Sequence, residues 1–324
     1  MLLIYYSPKY YYELSANQGN SEAQGNLGLL YEFGMGITQD YQKAKYYYEL
    51  SANQGNSEAQ LNLGLLYNAG KGVPQDYQKA KYYYELSAKQ GNSYAQVNLG
   101  KLYDLGNGVP QDYQKAKYYY ELSANQANQY GQFNLGVFYD KGIGVSQDYQ
   151  KAKYYYELSA SQGNSDAQFF LGKLYDDGKG VPQDYQKAKH YYELSANQGN
   201  QYGQLNLGVL YELGNSVPQD YKKAKYYYEL SANQGDSDAQ LNLGTLYYNG
   251  KGVHQDSQKA KYYYELSANQ GDSNALLYLA DLYIFGKGVT RNQEKAEYYL
   301  RLSANQGNTK AIELLDILNK YPNK

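Results

Sequence analysis

The chain repeats itself every 36 residues, and this period constrains its fold more than any other feature. The block DYQKAKYYYELSANQG recurs in register, with no insertion between copies. The position of Tyr41 is filled again by Tyr77, Tyr113, Tyr149, Tyr185 and Tyr221, then by Ser257 and Gln293, and before it by Tyr5. A unit of this length is shorter than the roughly 40 residues at which domains fold unaided, so each unit must bury its apolar side chains against its neighbours.

The units are predicted to form a single repeat array over residues 1–324, with no domain boundary inside it. We place them at 5–40, 41–76, 77–112, 113–148, 149–184, 185–220, 221–256, 257–292 and 293–324. Near the start, Pro8 predicts a shortened first helix capped by Ser7. Near the end, Asp316 and Asn319 stand where complete units carry glycine and tyrosine, so the last helix should face water. The terminal units are therefore expected to act as caps.

Each unit is predicted to contain two helices, because chemical signals for helix ends occur twice in it. In the second unit, Asp40 can cap a first helix that runs from Tyr41 to Gln54, and Gly55 suits the left-handed residue after its last turn. A second helix opens at Ser57, whose S-x-x-Q spacing with Gln60 predicts a capping box. The same box is predicted at Ser21 and Gln24, Ser93 and Gln96, Ser165 and Gln168, and Ser237 and Gln240. Gly70, Gly72 and Pro74 then end the helix and leave no room for strands, which predicts an all-α fold.

The apolar positions of each helix gather on one side when they are plotted at 100° per residue. The first helix should bury Tyr41, Ala44, Tyr47, Tyr48, Ser51 and Ala52, and the second should bury Ala59, Leu63, Gly64, Leu66 and Tyr67. Positions expected outside these arcs are Tyr46 and Leu50 on the first helix and Leu61 and Leu65 on the second. Tyrosine must supply much of the core, since 47 of the 324 residues are Tyr.

Charge and composition exclude several classes of function. Lys plus Arg is 30 against 32 for Asp plus Glu, so no field strong enough to gather nucleic acid or an anionic membrane is expected. Arginine occurs only at Arg291 and Arg301, which argues against a phosphate-reading surface. The absence of cysteine removes disulfides and thiolate metal sites. No apolar run approaches the length of a membrane helix and Met1 to Ser7 does not fit a signal peptide, so we expect a soluble, cytoplasmic protein.

A set of small and aromatic positions recurs every 36 residues over nearly the whole chain. In one period it comprises Ala59, Leu63, Gly64, Tyr67, Gly70, Gly72, Val73, Asp76, Lys79, Ala80, Tyr84, Ala88 and Gly91. In this set the chain resembles the Sel-one-like repeat (SLR) family, relatives of the tetratricopeptide repeats. The resemblance implies a right-handed α/α superhelical solenoid of about nine helix-turn-helix repeats, whose concave wall binds proteins or peptides in the role of an adaptor or scaffold. Cysteine-rich members have been linked to penicillin binding, and this chain lacks their cysteines, which argues against that activity here.

No constellation of residues in the sequence supports catalysis. His190 and His254, the two histidines, lie at unrelated positions of the repeat and cannot build one site together. No S-x-x-K motif occurs, and the serines have no recurring histidine partner. Asp176 and Asp177 resemble a fragment of a calcium loop, but the remaining oxygen ligands are missing. We therefore expect no enzyme, no catalytic residue, no cofactor and no metal, with a hydrolase or a penicillin-binding-type activity as the rival class.

One stripe of the second helix is a candidate surface for binding a partner. It runs through the positions of Glu58, Asn62, Leu65 and Ala69. Spacings of 4, 3 and 4 place these residues on one face of the helix, and by the resemblance this is the concave stripe. Its asparagine position is filled by Asn26, Asn62, Asn98, Asn134, Asn206 and Asn242, and its Leu65 position is filled by Lys101 and Lys173 in other units. A primary amide can donate to and accept from a peptide backbone at once, so this row suits an extended segment of a partner protein.

Two alternatives to this binding surface stay open. The asparagines could instead bridge neighbouring helices or simply face solvent. The chain could also be a structural, self-assembling solenoid, in which stripes through Tyr46 and Leu50 on the first helices mediate self-association. In either case the expected partner is a protein or peptide, with a second copy of the chain as the alternative, and neither nucleic acid nor membrane insertion is expected.

Overall fold

The computed structural model describes residues 8–215 and 217–320, and these residues form eighteen α-helices and no strand. The helices are α1 (Pro8–Asn17), α2 (Ser21–Phe33), α3 (Tyr41–Asn53), α4 (Ser57–Ala69), α5 (Tyr77–Lys89), α6 (Ser93–Leu105), α7 (Tyr113–Asn125), α8 (Gln129–Lys141), α9 (Tyr149–Ser161), α10 (Ser165–Asp177), α11 (Tyr185–Asn197), α12 (Gln201–Leu213), α13 (Tyr221–Ala232), α14 (Ser237–Asn249), α15 (Ser257–Ala268), α16 (Ser273–Phe285), α17 (Gln293–Asn305) and α18 (Thr309–Lys320). We name the odd-numbered helices A helices and the even-numbered ones B helices. The all-α fold with two helices per repeat is thus confirmed.

The predictions at the two ends of the chain are tested only in part. Helix α1 begins at Pro8, as expected, and Asp316 near the end of α18 is exposed to solvent. The predicted unit start at Tyr5, the cap at Ser7 and the orientation of the Asn319 side chain lie outside the described residues.

The chain divides into two compact units, Met1–Ala167 and Gln168–Lys324. In the first unit a B helix packs between the A helix of its own repeat and the A helix of the next, as α4 does between α3 and α5. In the second unit α12 packs in the same way between α11 and α13. None of the helices in the described ranges is long and apolar enough to cross a bilayer.

The A helices begin where the sequence predicts, and α3 ends at Asn53, one residue before the predicted Gln54. The Asp40 side chain accepts hydrogen bonds from the backbone N–H groups of Gln42 and Lys43 and so caps α3. Two residues beyond the last helical residue, Gly55 has a φ of +89°, which a side chain would strain. The cap and the glycine are local signals, and both predictions are confirmed.

The B helices begin at the predicted residues, but the predicted capping box is wrong. The cap of α4 is Asn56, whose side chain accepts from the N–H of Ala59 at 2.9 Å. Gln60 does not reach back to the cap; its Nε2 donates to the Ala52 carbonyl of α3 at 3.2 Å. Asparagine or aspartate precedes Ser21, Ser93, Ser165 and Ser237 too, and it caps each of those helices. The residue one position earlier therefore captures the free N–H, and the glutamine is left to bridge helices.

The core lies between A and B helices and follows the predicted arcs, except that Tyr41 and Tyr47 are only half-buried and Leu61 is buried. Ala44 and Tyr48 on α3 and Leu63 on α4 are fully buried, as expected. The prediction that Leu61 lies outside the buried arc is wrong, because its side chain is only 6% exposed. Because a B helix is flanked by two A helices and by further B helices, it buries more of its circumference than one apolar arc indicates.

Each buried tyrosine at the Tyr48 position packs against a glycine of the B helix before it. A Cβ atom built on Gly64 would lie 2.6 Å from the ring of Tyr84, so no larger residue fits there without a shift. The glycine thus sets how closely the A and B helices approach.

Polar side chains connect successive repeats inside this packing. Gln54 Nε2 donates to Gln24 Oε1 at 2.7 Å, and the Ser51 hydroxyl donates to the Ser21 carbonyl at 2.7 Å. The glutamine pair recurs as Gln90–Gln60, Gln126–Gln96, Gln162–Gln132, Gln198–Gln168, Gln234–Gln204 and Gln270–Gln240. Because these bonds are buried or half-buried, they favour the 36-residue register over other ways of stacking the helices.

The hydroxyls of the buried tyrosines form a second series of bonds, to carboxylates, with two exceptions. One is Tyr264, whose hydroxyl donates to Thr245 Oγ1 at 3.4 Å, and the other is Tyr84. The Tyr192 hydroxyl donates to Asp176 Oδ2 at 3.0 Å, and burial raises the pKa of Asp176 above its ordinary value of 3.8 while this hydrogen bond lowers it. Equivalent pairs are Tyr48–Glu32, Tyr120–Asp104, Tyr156–Asp140 and Tyr228–Glu212. Tyr84 is 1% exposed, and its hydroxyl has no partner among the described residues, because the acidic position of that repeat holds Asn68.

The Tyr84 hydroxyl, which has no partner among the described residues, allows a matched test of stability. We expect Tyr192→Phe to lower the free energy of unfolding by about 1.5–3 kcal/mol, because it removes a hydrogen bond to a charged acceptor. Tyr84→Phe should leave stability unchanged or raise it slightly, since it removes a buried hydroxyl that has no partner. Without the Tyr192 hydroxyl the pKa of Asp176 rises further. The loss of stability caused by Tyr192→Phe should therefore grow as the pH rises above about 3.8. Urea denaturation of both variants at pH 4 and pH 7 measures this, and equal losses at Tyr84 and Tyr192 would contradict it.

Candidate functional site

The predicted asparagine row lies on the B helices of both compact units. Asn26, Asn62, Asn98 and Asn134 lie on α2, α4, α6 and α8 of the first unit, and Asn206 and Asn242 lie on α12 and α14 of the second. All six side chains are half-buried. We name the surface formed by the positions of Glu58, Asn62 and Leu65 in successive repeats the B-helix face.

Three of the six amides in this row bond to their own helices, and within the described residues none bonds to a neighbouring helix. Asn98 Nδ2 donates to the Tyr94 carbonyl at 2.9 Å, and Asn134 Nδ2 donates to the Tyr130 carbonyl at 2.7 Å, each one turn back. Asn206 repeats this with the Tyr202 carbonyl at 2.8 Å. In the described part of the chain the other three, Asn26, Asn62 and Asn242, form no side-chain hydrogen bond. The Oδ1 atom of each of the six amides accepts no hydrogen bond from a described residue, so it is available to a ligand.

A groove brings two of these asparagines together. It lies between α2 and α4, has a volume of 440 Å³ and is lined by Glu22, Gly25, Asn26, Leu29, Asn56, Glu58, Ala59 and Asn62. The corresponding groove between α16 and α18 has a volume of 430 Å³. There Tyr278 and Asp281 occupy the Asn62 and Leu65 positions, so the second groove has different chemistry. Burial raises the pKa of Asp281, and the charge of Lys287 opposes that rise.

The three predicted residues at the Leu65 position of the B-helix face are exposed to solvent. They are Leu65 and Lys101 in the first compact unit and Lys173 in the second. The charge of Lys173 lowers the pKa of Asp176, opposing the larger effect of burial. These three predicted residues therefore have side chains that a partner could reach.

Sequence reasoning missed the aromatic residues on this face. At the Glu58 position, the third and fourth B helices carry Tyr94 and Tyr130, whose ring centroids lie 6.1 Å apart. Tyr202 occupies the same position in the second unit, 5.5 Å from the Phe169 ring. The signal was present in the sequence, because this position changes from glutamate to tyrosine between otherwise similar repeats.

The A helices present the competing surface. Tyr46 is exposed and packs edge-on against Tyr47 at 5.1 Å, whereas Leu50 is half-buried. A groove of 550 Å³ between α5 and α7 is lined in part by Tyr118 and Leu122. The flanking charges are paired along each helix, as Lys45 and Glu49 are at 3.0 Å. This surface is thus aromatic and electrically neutral.

Residues considered for chemistry do not assemble into a reactive site. His190 is exposed and lies edge-on to the Tyr191 ring at 5.2 Å, and His254 is also exposed. Asp177 pairs with Lys179 at 2.9 Å. Within residues 8–215 and 217–320, no group of three or more His, Cys, Asp or Glu side chains is placed to hold a metal ion.

Comparison with known proteins places this architecture in a family. The profile described as Sel1 repeat matches residues 9–20, 21–56, 57–92, 93–128, 129–164, 165–200, 201–236, 237–272 and 273–308. The crystal structure of a protective antigen from uropathogenic Escherichia coli with an SLR fold is 37% identical, with a TM-score of 0.80, over 96% of this chain and 67% of that one. A Sel1 repeat protein from Oxalobacter formigenes is 30% identical, with a TM-score of 0.67, over 97% of this chain and 94% of that one. A search of curated proteins found no match. The resemblance seen in the sequence is confirmed, and the chain belongs to the Sel1 repeat family.

Proposed function

We propose that this protein is a non-enzymatic interaction scaffold that binds an extended peptide or protein segment along the B-helix face. Sel1 repeat proteins are in general protein-interaction scaffolds. The observation that carries the proposal here is the row of half-buried asparagines whose Oδ1 atoms have no partner among the described residues. A half-buried acceptor on an otherwise well-satisfied surface gains from a donor that a ligand brings.

The spacing of the row fits a backbone in an extended conformation. Packed helices lie about 10 Å apart, and an extended chain advances about 3.3 Å per residue. A segment laid across successive B helices would therefore meet one asparagine about every third residue. In an extended segment the N–H and C=O of each peptide group are free to bond to an asparagine amide, whatever the side chain. The side chains of the segment would be selected by the residues that surround each asparagine.

The test is a triple substitution on this face. We expect Asn62→Ala, Asn98→Ala and Asn134→Ala together to weaken binding about tenfold or more, because each lost hydrogen bond contributes about 0.5–1.5 kcal/mol. The probe is a set of peptides selected from a random displayed library on the full chain, with affinities measured by fluorescence anisotropy. Helicity and melting temperature should stay unchanged, because the amides bond to no neighbouring helix.

The matched control changes three exposed rings on the A helices, with Tyr46→Ala, Tyr82→Ala and Tyr118→Ala. This variant should keep its affinity for the selected peptides. Self-assembly is the alternative function, and the exposed tyrosines beside the groove between α5 and α7 are the observation that favours it. If the control variant loses peptide binding while the asparagine variant keeps it, the B-helix face is not the site. A sedimentation shift from oligomer to monomer in the control variant would then support assembly.

A further inference from the structure

We infer that the B-helix face of the first compact unit selects a segment with two separated features, a basic residue at one end and an aromatic residue or proline at the other. This inference rests on the proposed function, because it names the class of segment that the same face would take. Two surfaces of different chemistry on this face carry it, one between α2 and α4 and one between α6 and α8.

The surface between α2 and α4 carries two carboxylates, one in the first turn of each helix. Glu22 and Glu58 are exposed and both line the 440 Å³ groove. One oxygen of Glu58 accepts a hydrogen bond from Asn92 Nδ2 at 2.7 Å. Neither carboxylate forms an ion pair with any residue that the structure describes. A lysine or arginine of a partner would find its counter-charge here, with a neutral amide on either side.

This lack of pairing contrasts with the A helices, where glutamate has a lysine one turn away. Lys45–Glu49 and Lys81–Glu85 are at 3.0 and 3.2 Å. On the B-helix face the next cation along the first unit is Lys101 on α6, one turn beyond Asn98. From α2 to α8 the acidic side chains at the Glu58 position therefore lie only at the α2–α4 end of the face, and the next one is Asp166 on α10.

The surface between α6 and α8 carries an aromatic pair. Tyr94 and Tyr130 are 50% and 42% exposed, and their rings are tilted by 55° to each other. The two rings contact each other and together present an exposed aromatic surface, on which a flat or cyclic apolar side chain can pack. The uncommitted Oδ1 atoms of Asn98 and Asn134 lie one turn from the pair, so the segment's backbone can be held while its side chain packs on the rings.

Differences between the first four repeats are concentrated in the B helices. The A helices α3, α5, α7 and α9 are identical except at their last residue, which is Asn53, Lys89, Asn125 and Ser161 in turn. Over the same four repeats the Glu58 position on the B helices reads Glu22, Glu58, Tyr94 and Tyr130. The face therefore changes from acidic to aromatic at this position while the A helices beside it stay constant.

The separation of the two surfaces sets the length of the segment. From the midpoint of α2 and α4 to the midpoint of α6 and α8 is two repeats, about 20 Å at the usual spacing of packed helices. An extended chain covers that distance in about six residues. The segment therefore needs its basic and its apolar residue about six positions apart.

Five labelled peptides test the inference with the full chain. The first carries Lys-Arg, a six-residue Ser-Gly spacer and Tyr-Pro, and the second carries the same parts in reverse order. The third has the spacer cut to two residues, and the last two replace the basic or the apolar end by Ser-Gly. We expect one of the first two to bind at least tenfold more tightly than each of the other three, and its affinity should fall with added salt.

Two variants assign each end of the peptide to its surface. Glu22→Gln with Glu58→Gln should remove the advantage of the basic end and most of the salt dependence, while the amide introduced at position 58 can still accept a hydrogen bond from Asn92. Tyr94→Ala with Tyr130→Ala should remove the advantage of the apolar end alone. Tyr82→Ala with Tyr118→Ala, on the A helices, is the matched control and should change neither.

The outcomes separate this inference from the proposed function. Equal affinity for the long-spacer, short-spacer and one-ended peptides overturns the inference. If the library-selected peptides still lose affinity in the asparagine variant, the proposed function then stands without it. If that variant changes the affinity of no peptide, both fall. The inference is also overturned if the free protein dimerises and the variant with Tyr94→Ala and Tyr130→Ala does not, since the occupant would then be a second copy.

Discussion

Deleting residues 113–148 should leave a folded helical protein, whereas deleting residues 113–130 should not. The longer deletion removes α7, α8 and the loop after them, which is one full period. It joins Asp112 to Tyr149, so Asp112 would cap α9 as it now caps α7, with the same residues following. Because each repeat packs only on its neighbours, α6 would then pack on an A helix almost identical to the one removed.

The shorter deletion removes fewer residues and should do more damage. It joins Asp112 to Gly131, so α6 would be followed by the remainder of α8 with no A helix between them. The apolar side chains that α6 buries against α7, including Leu99 and Leu102, would lose their cover. We expect most of the helical signal to be lost or the protein to aggregate.

Circular dichroism and size-exclusion chromatography of the two deletion variants and the full chain provide the measurement. The variant lacking 113–148 should keep the same helical signal per residue and unfold cooperatively. An equal loss of helix in both variants would show that the repeat is not the unit of folding.

The ends of the helices could be predicted from the sequence because they depend on nearby residues. Asp40 and Gly55 act within a few residues of the helix they terminate, and both are where the sequence places them. Asn56 shows the limit of this reasoning. The sequence predicted a cap at Ser57, but the extended backbone at Asn56 lets the Asn56 side chain reach the free N–H group instead.

Contacts between repeats could not be predicted in the same way. The bond from Gln54 to Gln24 joins residues 30 positions apart, and nothing in either helix alone indicates it. The burial of Leu61 likewise depends on neighbouring helices. Angular position sufficed to place the asparagine row on one face, but not to show that Asn98 bonds to the Tyr94 carbonyl of its own helix. The pairing of Tyr94 with Tyr130 required the spatial adjacency of α6 and α8.

Gly136→Ala should destabilise the protein although alanine is the better helix former. A Cβ atom on Gly136 would lie 2.4 Å and 2.5 Å from two ring carbons of Tyr156, which is fully buried and has no room to retreat. Overpacking of this kind costs about 1–3 kcal/mol, which exceeds the gain of about 1 kcal/mol from removing a glycine within a helix. The chain itself contains the compensated pair: Ala280 occupies the glycine position of the eighth repeat, and the residue that faces it is Leu300 instead of tyrosine.

The compensated pair supplies the double-mutant test. Gly136→Ala and Tyr156→Leu should each destabilise, but the double variant should be more stable than the sum of the two losses predicts, with a coupling of about 1–3 kcal/mol.

Gly25→Ala is the matched control for Gly136→Ala. Other repeats carry Leu61 and Val97 at the Gly25 position. A Cβ atom added to Gly25 would meet only the Ser51 side chain, at 3.3 Å or beyond. Gly25→Ala should raise the free energy of unfolding by about 0.5–1 kcal/mol. Urea denaturation of the four proteins and the wild type measures all of these values. Strict additivity of Gly136→Ala and Tyr156→Leu would mean that the glycine is not there to admit the ring, and the packing of A on B helices would then need another explanation.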